Sequence, residues 1–250
     1  MTKLILAGCN GYMGRVITAM ADDDPAVTIT AGIDITDAKP GDYPVYSDPG
    51  DITEQADVNV DFSSPAALDG LLSFSKDKNI PLILCATGYS EEQLNQIKKA
   101  SQQIPVFRSG NMSLGINLLA DLINRACSVL GEDFDVEIIE KHHKRKVDAP
   151  SGTALMLADA AADALPYKPQ YTYERESKSK PRDKHEIGIS AIRGGTIVGQ
   201  HDVIFAGQDE VIELRHTAAS RDVFAAGALK AAGFMVGKPA GMYSMKDVLK

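Results

Sequence analysis

The chain has 250 residues, 44% of them hydrophobic and 24% charged, the composition of a folded globular protein long enough for one large core or two small ones. A net charge of −8 argues against a general nucleic-acid surface, which needs a basic field, and no stretch reaches the roughly 20 uncharged apolar residues of a membrane helix. Cys9, Cys85 and Cys127 are odd in number and widely spaced, so neither a disulfide framework nor a metal site is expected, and the short, glycine-broken apolar run at the N-terminus is no secretory core, which makes the cytoplasm the expected compartment.

The first half alternates short apolar runs with helical patterns. Lys3–Ala7, Val27–Ile33, Val58–Phe62, Leu82–Cys85 and Val106–Phe107 are apolar almost throughout, as strands of a parallel sheet buried on both faces are. Helices are expected between them at about residues 12–22, 65–78 and 91–101, the last opened by a capping-box pattern from Ser90 to Gln93. Regular strand–helix alternation predicts a Rossmann-like, doubly wound α/β domain.

After Asn111 the rhythm changes. A long helix is expected at Leu114–Leu130, then a strand at Val136–Glu140, a basic cluster, and a second helix from about Ser151. Residues 166–186, polar and proline-bearing, read as a surface loop. Three β-rich runs follow, Ile187–Ile192, Asp202–Phe205 and Val211–Arg215, too close together for helical crossovers between them. They predict a largely antiparallel or mixed sheet in a smaller α+β domain. A helix at Phe224–Val236 closes the pattern. The expected division is residues 1–112 with 222–250 as a dinucleotide-binding domain, and 113–221 as a substrate-binding and oligomerisation domain.

The first strand runs into Gly8-Cys9-Asn10-Gly11-Tyr12-Met13-Gly14. Glycines here allow a tight turn, close approach of backbone to a pyrophosphate, and close helix–strand packing. The following helix would aim its amides and positive dipole end at the phosphates. Such loops also serve as plain turns, but Asp34, 20 residues beyond Gly14 at the end of the second strand, is placed to accept hydrogen bonds from ribose hydroxyls. No basic residue follows it in Ile35, Thr36 or Asp37, and Lys39 is the nearest candidate. A 2′-phosphate would meet an uncompensated carboxylate, so NADH is favoured over NADPH. Two further loops, Ala86–Tyr89 and Ser109-Gly110-Asn111-Met112, either offer carbonyls to a nicotinamide carboxamide or are ordinary turns.

The segment Glu140–Ala154 reads EKHHKRKVDAPSGTA. His142, His143 and Lys146 put two titratable rings beside a cation, a set suited to proton transfer. Ser151 is a plausible N-cap that leaves the amides of Gly152 and Thr153 to bind an anion, with no side chain at Gly152 to obstruct it. A basic run alone would be a solvated patch, and two adjacent histidines could bind a metal, but no further ligand pattern supports that. Followed at once by a helix start, the run suits a small, multiply negative ligand.

These residues resemble the 4-hydroxy-tetrahydrodipicolinate reductase (dihydrodipicolinate reductase) family. Its E-x-H-H-x-x-K-x-D-A-P-S-G-T-A hallmark stands unbroken at Glu140–Ala154, and matching continues at Gly8–Gly14, Thr87–Gly88, Asn111–Asn117 and Arg193–His201. The resemblance covers essentially the whole chain. It implies NADH or NADPH held by Gly8, Cys9, Asn10, Gly11, Tyr12, Met13, Asp34, Cys85, Ala86, Thr87, Ser109, Gly110, Asn111 and Met112. It implies His142 and Lys146 as the catalytic pair, with His143, Gly152 and Thr153 on the substrate carboxylates. It also implies hydride delivery to C4 of a cyclic imine dicarboxylate after loss of water, a place in diaminopimelate and lysine synthesis, and a homotetramer. The chain departs from the family at Cys85, where glycine is common, and at Ile35, where arginine is common. Two rivals lack support. An aspartate-semialdehyde type of dehydrogenase needs a nucleophilic cysteine, and Cys127 falls inside a helical pattern. A redox sensor that binds nucleotide without turnover has no use for the hallmark.

Overall fold

The computed structural model of the chain describes residues 1–250. In chain order its elements begin β1 (Thr2–Ala7), α1 (Tyr12–Asp23), β2 (Val27–Ile33), β3 (Val45–Tyr46), β4 (Val58–Asp61), α2 (Leu68–Lys78), β5 (Leu82–Leu84), α3 (Glu91–Ala100), β6 (Pro105–Arg108) and α4 (Leu114–Leu130). They continue with β7 (Asp135–His142), α5 (Gly152–Ala162), β8 (Gln170–Thr172), β9 (Glu186–Arg193), β10 (Gly199–Ala206), β11 (Val211–Ala218), α6 (Asp222–Met235), β12 (Gly241–Tyr243) and α7 (Met245–Val248). The chain forms two units, Met1–Leu114 with Asp222–Lys250, and Gly115–Arg221.

In the first unit the side-chain alternation of each strand feeds two cores. Leu4 and Leu6 of β1 join Val58, Val60, Ile83 and Phe107 in a cluster with α1 and α6, while Ile5 and Ala7 join Leu82, Leu84 and Val106 in a cluster with α2 and α3. Strands covered on both faces are mostly apolar, as β1 and β5 are, whereas buried β4 also carries Asn59 and Asp61. The sheet has seven strands in the order β12-β6-β5-β4-β1-β2-β3, and its pairings are parallel. The chain turns outward in both directions from β1 and β4, so the C-terminal ends of β1, β2, β4, β5 and β6 share one edge, where ligands bind in such sheets. The capping box at Ser90 forms as expected, with Ser90 and Gln93 each bonded to the other's backbone. β3 and β12, two and three residues long, are too short to leave a periodic signal and were not anticipated.

In the second unit five strands lie in the order β11-β10-β7-β9-β8. β10 runs antiparallel to β7 and β11, whereas β9 runs parallel to β7 and β8. The sheet is therefore mixed. The three closely spaced runs do not form one antiparallel ladder, because β7 lies between β9 and β10 and α5 supplies the crossover that brings β9 back parallel to β7. One face packs on α4 and α5 through Ile138, Ile189, Phe205, Ile123 and Leu157.

Residues 166–186 are not simply a loop. They contain β8 and a short 3-10 turn at Glu176–Lys178. Arg182 bonds Asp135 at 2.7 Å and Glu137 at 2.9 Å, and Arg175 pairs with Glu137 and Glu186. The polar composition that suggested a loop serves an ion-pair network against β7 and β9.

Two glycines of the first unit make opposite demands. A Cβ on Gly14 would lie 2.3 Å from the Gly8 carbonyl oxygen and 2.4 Å from that of Cys9, backbone atoms that cannot move without displacing α1. A Cβ on Gly233, inside α6, meets nothing within 4 Å. Gly14→Ala should lower stability by about 1–3 kcal/mol or more, and Gly233→Ala should raise it by up to about 1 kcal/mol through helix propensity. Thermal denaturation of the two variants reads both signs.

Candidate active site

At the sheet edge of the first unit, β1 ends in a turn with Gly8 at φ +76°, where a Cβ would lie 2.8 Å from the backbone of Phe62 and Ser63. Gly11 is the N-cap of α1 and offers no side-chain cap, so the first turn presents backbone amides with the dipole behind them. Glycine is required here by contact as well as by conformation, as expected of a pyrophosphate cradle. A cleft of about 540 Å³ runs from this turn past Asp34 and Ile35 to Ser63 and Ala67.

Asp34 sits just beyond β2 and is already engaged within the cradle. Its Oδ2 accepts the Asn10 amide at 3.0 Å, and its Oδ1 accepts the Thr36 amide and hydroxyl at 3.2 Å. Each carboxylate oxygen has capacity for another donor. The Arg15 guanidinium Nε donates to the Asn10 carbonyl at 3.1 Å, a cation on the loop that the sequence reading did not single out.

The remaining expected cofactor residues share this edge. Cys85 follows β5 and donates its amide to the Asp61 main-chain carbonyl at 2.9 Å. Burial pushes its thiol well above the ordinary cysteine value. Ala86 is half-buried and Thr87 exposed. Ser109–Met112 fold into a compact turn, with the Ser109 hydroxyl donating to the Asn111 carbonyl and the Ser113 amide to the Asn111 side chain, both at 2.8 Å. Tyr12 is exposed, whereas the Cys9 and Met112 side chains lie in the core, so those two could touch a ligand only through backbone. Asp61 was missed: it is fully buried, accepts from Ser63 at 2.5 and 2.8 Å and from the Tyr89 hydroxyl at 3.3 Å, and so ties the loops after β4 and β5 together. Burial outweighs those bonds and raises its carboxyl above the ordinary value.

In the second unit β7 carries a cluster of polar side chains of its own. Its side chains alternate, so Val136 and Ile138 enter the core while Glu140 and His142, on the same face, line the end of the strand. Glu140 has no exposed surface. It accepts both terminal nitrogens of Arg193 at 2.7 Å, shares a 2.6 Å hydrogen bond with His142 Nδ1, and accepts the Ser151 amide at 3.0 Å. Burial alone would push this carboxyl up, but Arg193, His142 and the amide outweigh it and hold it below the usual range. His142 Nε2 lies beside Gly199, 3.2 Å from where a Cβ would stand.

Ser151 caps α5 as expected, its hydroxyl accepting the Ala154 amide at 3.1 Å. The same hydroxyl meets His201 Nε2 at 3.1 Å, and His201 stands directly across from Glu140 on β10. Gly152 at the first helical position is exposed, and a Cβ there meets nothing within 4 Å. No packing against the protein requires glycine at this point, so the space beside the α5 amides is open. Thr153 follows, half-buried.

His143 begins the turn after β7. Its Nδ1 is buried without a partner, and burial, with Arg145, Arg221, His142 and Lys146 around it, holds the ring below the ordinary histidine value. Lys146 bonds Asp148 at 2.8 Å, so its charged partner is a carboxylate two residues on. Glu140, Arg193 and His201 were given no role from sequence. A readable signal existed for Glu140, which is two residues from His142 on a strand and so shares its face. Cys127 is buried within α4 and its thiol is pushed up to about 11, which suits packing and not nucleophilic attack.

His201 is nearly fully buried, and burial first, then His142, lowers its pKa to about 4. The unfolded ring titrates near 6.5, so unfolding takes up a proton between about pH 6.5 and 4, and stability falls as pH drops through that window. The full shift corresponds to about 3 kcal/mol. Above pH 7, His201→Gln and the parent should therefore show parallel pH dependence in urea unfolding. Below pH 6.5 the parent should fall away more steeply, and parallel curves throughout would rule this account out.

The dihydrodipicolinate reductase N-terminal family model matches residues 2–112, and the C-terminal model matches residues 115–249. The chain is 53% identical over 249 residues to the 4-hydroxy-tetrahydrodipicolinate reductase of Clostridium tetani, covering 100% of this chain and 97% of that one. It is 52% identical over 250 residues to the same-named protein of Caldanaerobacter subterraneus, covering 100% and 99%. Among solved structures, a dipicolinate-bound dihydrodipicolinate reductase from a Paenisporosarcina species superposes with a TM-score of 0.83 at 23% identity, over 98% of this chain and 97% of that one. The chain therefore belongs to the dihydrodipicolinate reductase family.

Proposed function

We propose that this chain is a nicotinamide-dependent reductase acting on the cyclic imine dicarboxylate 4-hydroxy-tetrahydrodipicolinate, yielding tetrahydrodipicolinate and water on the route to diaminopimelate and lysine. The observation that carries this reading is the folding of Glu140–Ala154. The segment places His142 and the open, Ser151-capped end of α5 on the same buried carboxylate, within a chain that matches the family over its whole length.

The substrate carboxylates bind at the α5 end, on the amides of Gly152 and Thr153 and the Thr153 hydroxyl, with His143 alongside. The partnerless buried Nδ1 of His143 is a polar atom that a ligand carboxylate or its hydration would satisfy. The cradle residues Gly8–Met13, Asp34, Cys85–Thr87 and Ser109–Met112 hold the dinucleotide, whose reduced nicotinamide supplies the hydride. Lys146 is the donor of the proton that quenches the negative charge developing on the ring, and His142 relays it or stabilises that charge. A Lys146 ammonium leaving Asp148 for a dianionic substrate exchanges one carboxylate partner for another, so the approach costs little electrostatically.

NADH is the preferred cofactor. The reading rests on Asp34, flanked by Ile35, which is 96% exposed and brings no positive charge. Arg15, on the Asn10 carbonyl, is the cation that permits some use of NADPH. The chain acts in the cytoplasm, in keeping with three free thiols. It assembles as a homotetramer through the second sheet, where the edge strand β11 exposes Val211 and Ile212.

Lys146→Ala should lower kcat on the order of 10²-fold or more with the Kd for NADH unchanged, and undiminished turnover would remove Lys146 from the chemistry. Thr153→Val should instead raise KM by about tenfold or more with kcat little altered, as loss of a charge-assisted hydrogen bond does. Fluorescence titration should give tighter binding of NADH than of NADPH, and Ile35→Arg should close or reverse the gap. A clear NADPH preference in the parent chain would overturn the cofactor assignment.

A further inference from the structure

Four donors converge on the Glu140 carboxylate: two nitrogens of Arg193, the Nδ1 of His142 and the amide of Ser151. Arg193 also donates to the Asp148 carbonyl at 2.6 Å, in the segment between Lys146 and the helix start. The carboxylate is fully buried and can only accept while ionised. Its hydrogen bond to His142 therefore requires the proton on Nδ1, which leaves Nε2 as the nitrogen that faces away from the clamp, beside Gly199.

We infer that Glu140 and Arg193 are positioning residues for the reduction: one buried clamp fixes the Nδ1-protonated form and orientation of His142 and, through the Ser151 amide, holds the carboxylate-binding end of α5 in step with it. This rests on the proposed role of His142. The arrangement has three separable parts. The Arg193 fork keeps Glu140 ionised and fixes its plane, since a guanidinium meets a carboxylate with two parallel bonds. Glu140 then selects the His142 tautomer, because the partner of one ring nitrogen decides which nitrogen carries the proton. The second carboxylate oxygen holds the Ser151 amide, so a shift of the ring cannot occur without a shift of the helix start.

His201 completes the support from the opposite side. Its Nε2 meets the Ser151 hydroxyl, and its ring lies edge-on to that of His142 with centroids 5.2 Å apart. Burial keeps His201 neutral, so it places no charge beside the His142 ring. Gly199 puts no side chain against Nε2 of His142, from which a Cβ there would stand 3.2 Å away.

An amide at position 140 has one accepting oxygen for four donors and turns an NH2 towards some of them. Glu140→Gln should therefore lose the tautomer preference. The test uses the full chain labelled with 15N-histidine, with His142→Gln to assign the ring signals, alongside steady-state kinetics. The parent spectrum should show His142 protonated on Nδ1. Glu140→Gln should shift that signal towards the Nε2-protonated form, lower kcat on the order of 10²-fold, and leave the Kd for NADH unchanged. Arg193→Lys, which keeps the charge and loses the fork, should shift both readouts in the same direction by less, and serves if Glu140→Gln fails to fold. Nε2-protonated His142 in the parent, or unchanged ring signals in the variants, would overturn the clamp. A shifted signal with undiminished kcat would uphold the clamp and overturn the catalytic role of His142.

Discussion

Burying a carboxylate away from water is costly unless charge and hydrogen bonds replace the lost hydration. At Glu140 they do, through a guanidinium fork, an imidazole and a backbone amide. These partners come from β7 itself, from the start of α5 eleven residues on, and from β9, where Arg193 lies 53 residues away in sequence. The carboxylate is satisfied only when all three are assembled, so the geometry of the site is tied to the correct pairing of β7 with β9. Breaking one partner leaves charge stranded in the interior, a penalty of several kcal/mol, which makes the arrangement strongly specified.

The same strand shows how a fold hands over to a site. Along one face of β7 the residues run from Val136 and Ile138 in the core to Glu140 and His142 at the end. The alternation of the strand is unbroken, and only the chemistry of the side chains changes. In the first unit the equivalent transition occurs where β1 ends, in a turn whose Gly8 meets the Phe62 and Ser63 backbone too closely for any side chain. Each unit thus carries its own cluster, the glycine turn after β1 on the first and the Ser151-capped start of α5 on the second.

Much of this was legible in the residues. The doubly wound sheet could be read from the short, largely apolar runs at β1, β2, β4, β5 and β6 and from their regular alternation with helical patterns. The helix at Leu114–Leu130 and the caps at Ser90 and Ser151 follow from local rules and are found where those rules put them. What could not be read was long-range. Nothing local in Ile187–Ile192 says that its neighbour is β7 and not the strand that follows it, and β3, β8 and β12 are held by their neighbours and not by a pattern of their own. The site divides the same way. The hallmark drew attention to His142 and Lys146, but the partner of Lys146 is Asp148, and the roles of Arg193 and His201 depend on strand register, which sequence spacing does not reveal.

Family membership and the open, capped end of α5 lead to one account, in which dinucleotide binding serves turnover of a cyclic dicarboxylate. The measurement that tests it most directly is oxidation of NADH, deuterated at the transferable position of the nicotinamide, in the presence of freshly generated 4-hydroxy-tetrahydrodipicolinate. The account predicts cofactor consumption that depends on the imine, matches it mole for mole and leaves deuterium at C4 of the product. Binding of NADH with no oxidation when the imine is added would contradict it, and would leave a protein that senses the nucleotide without using it.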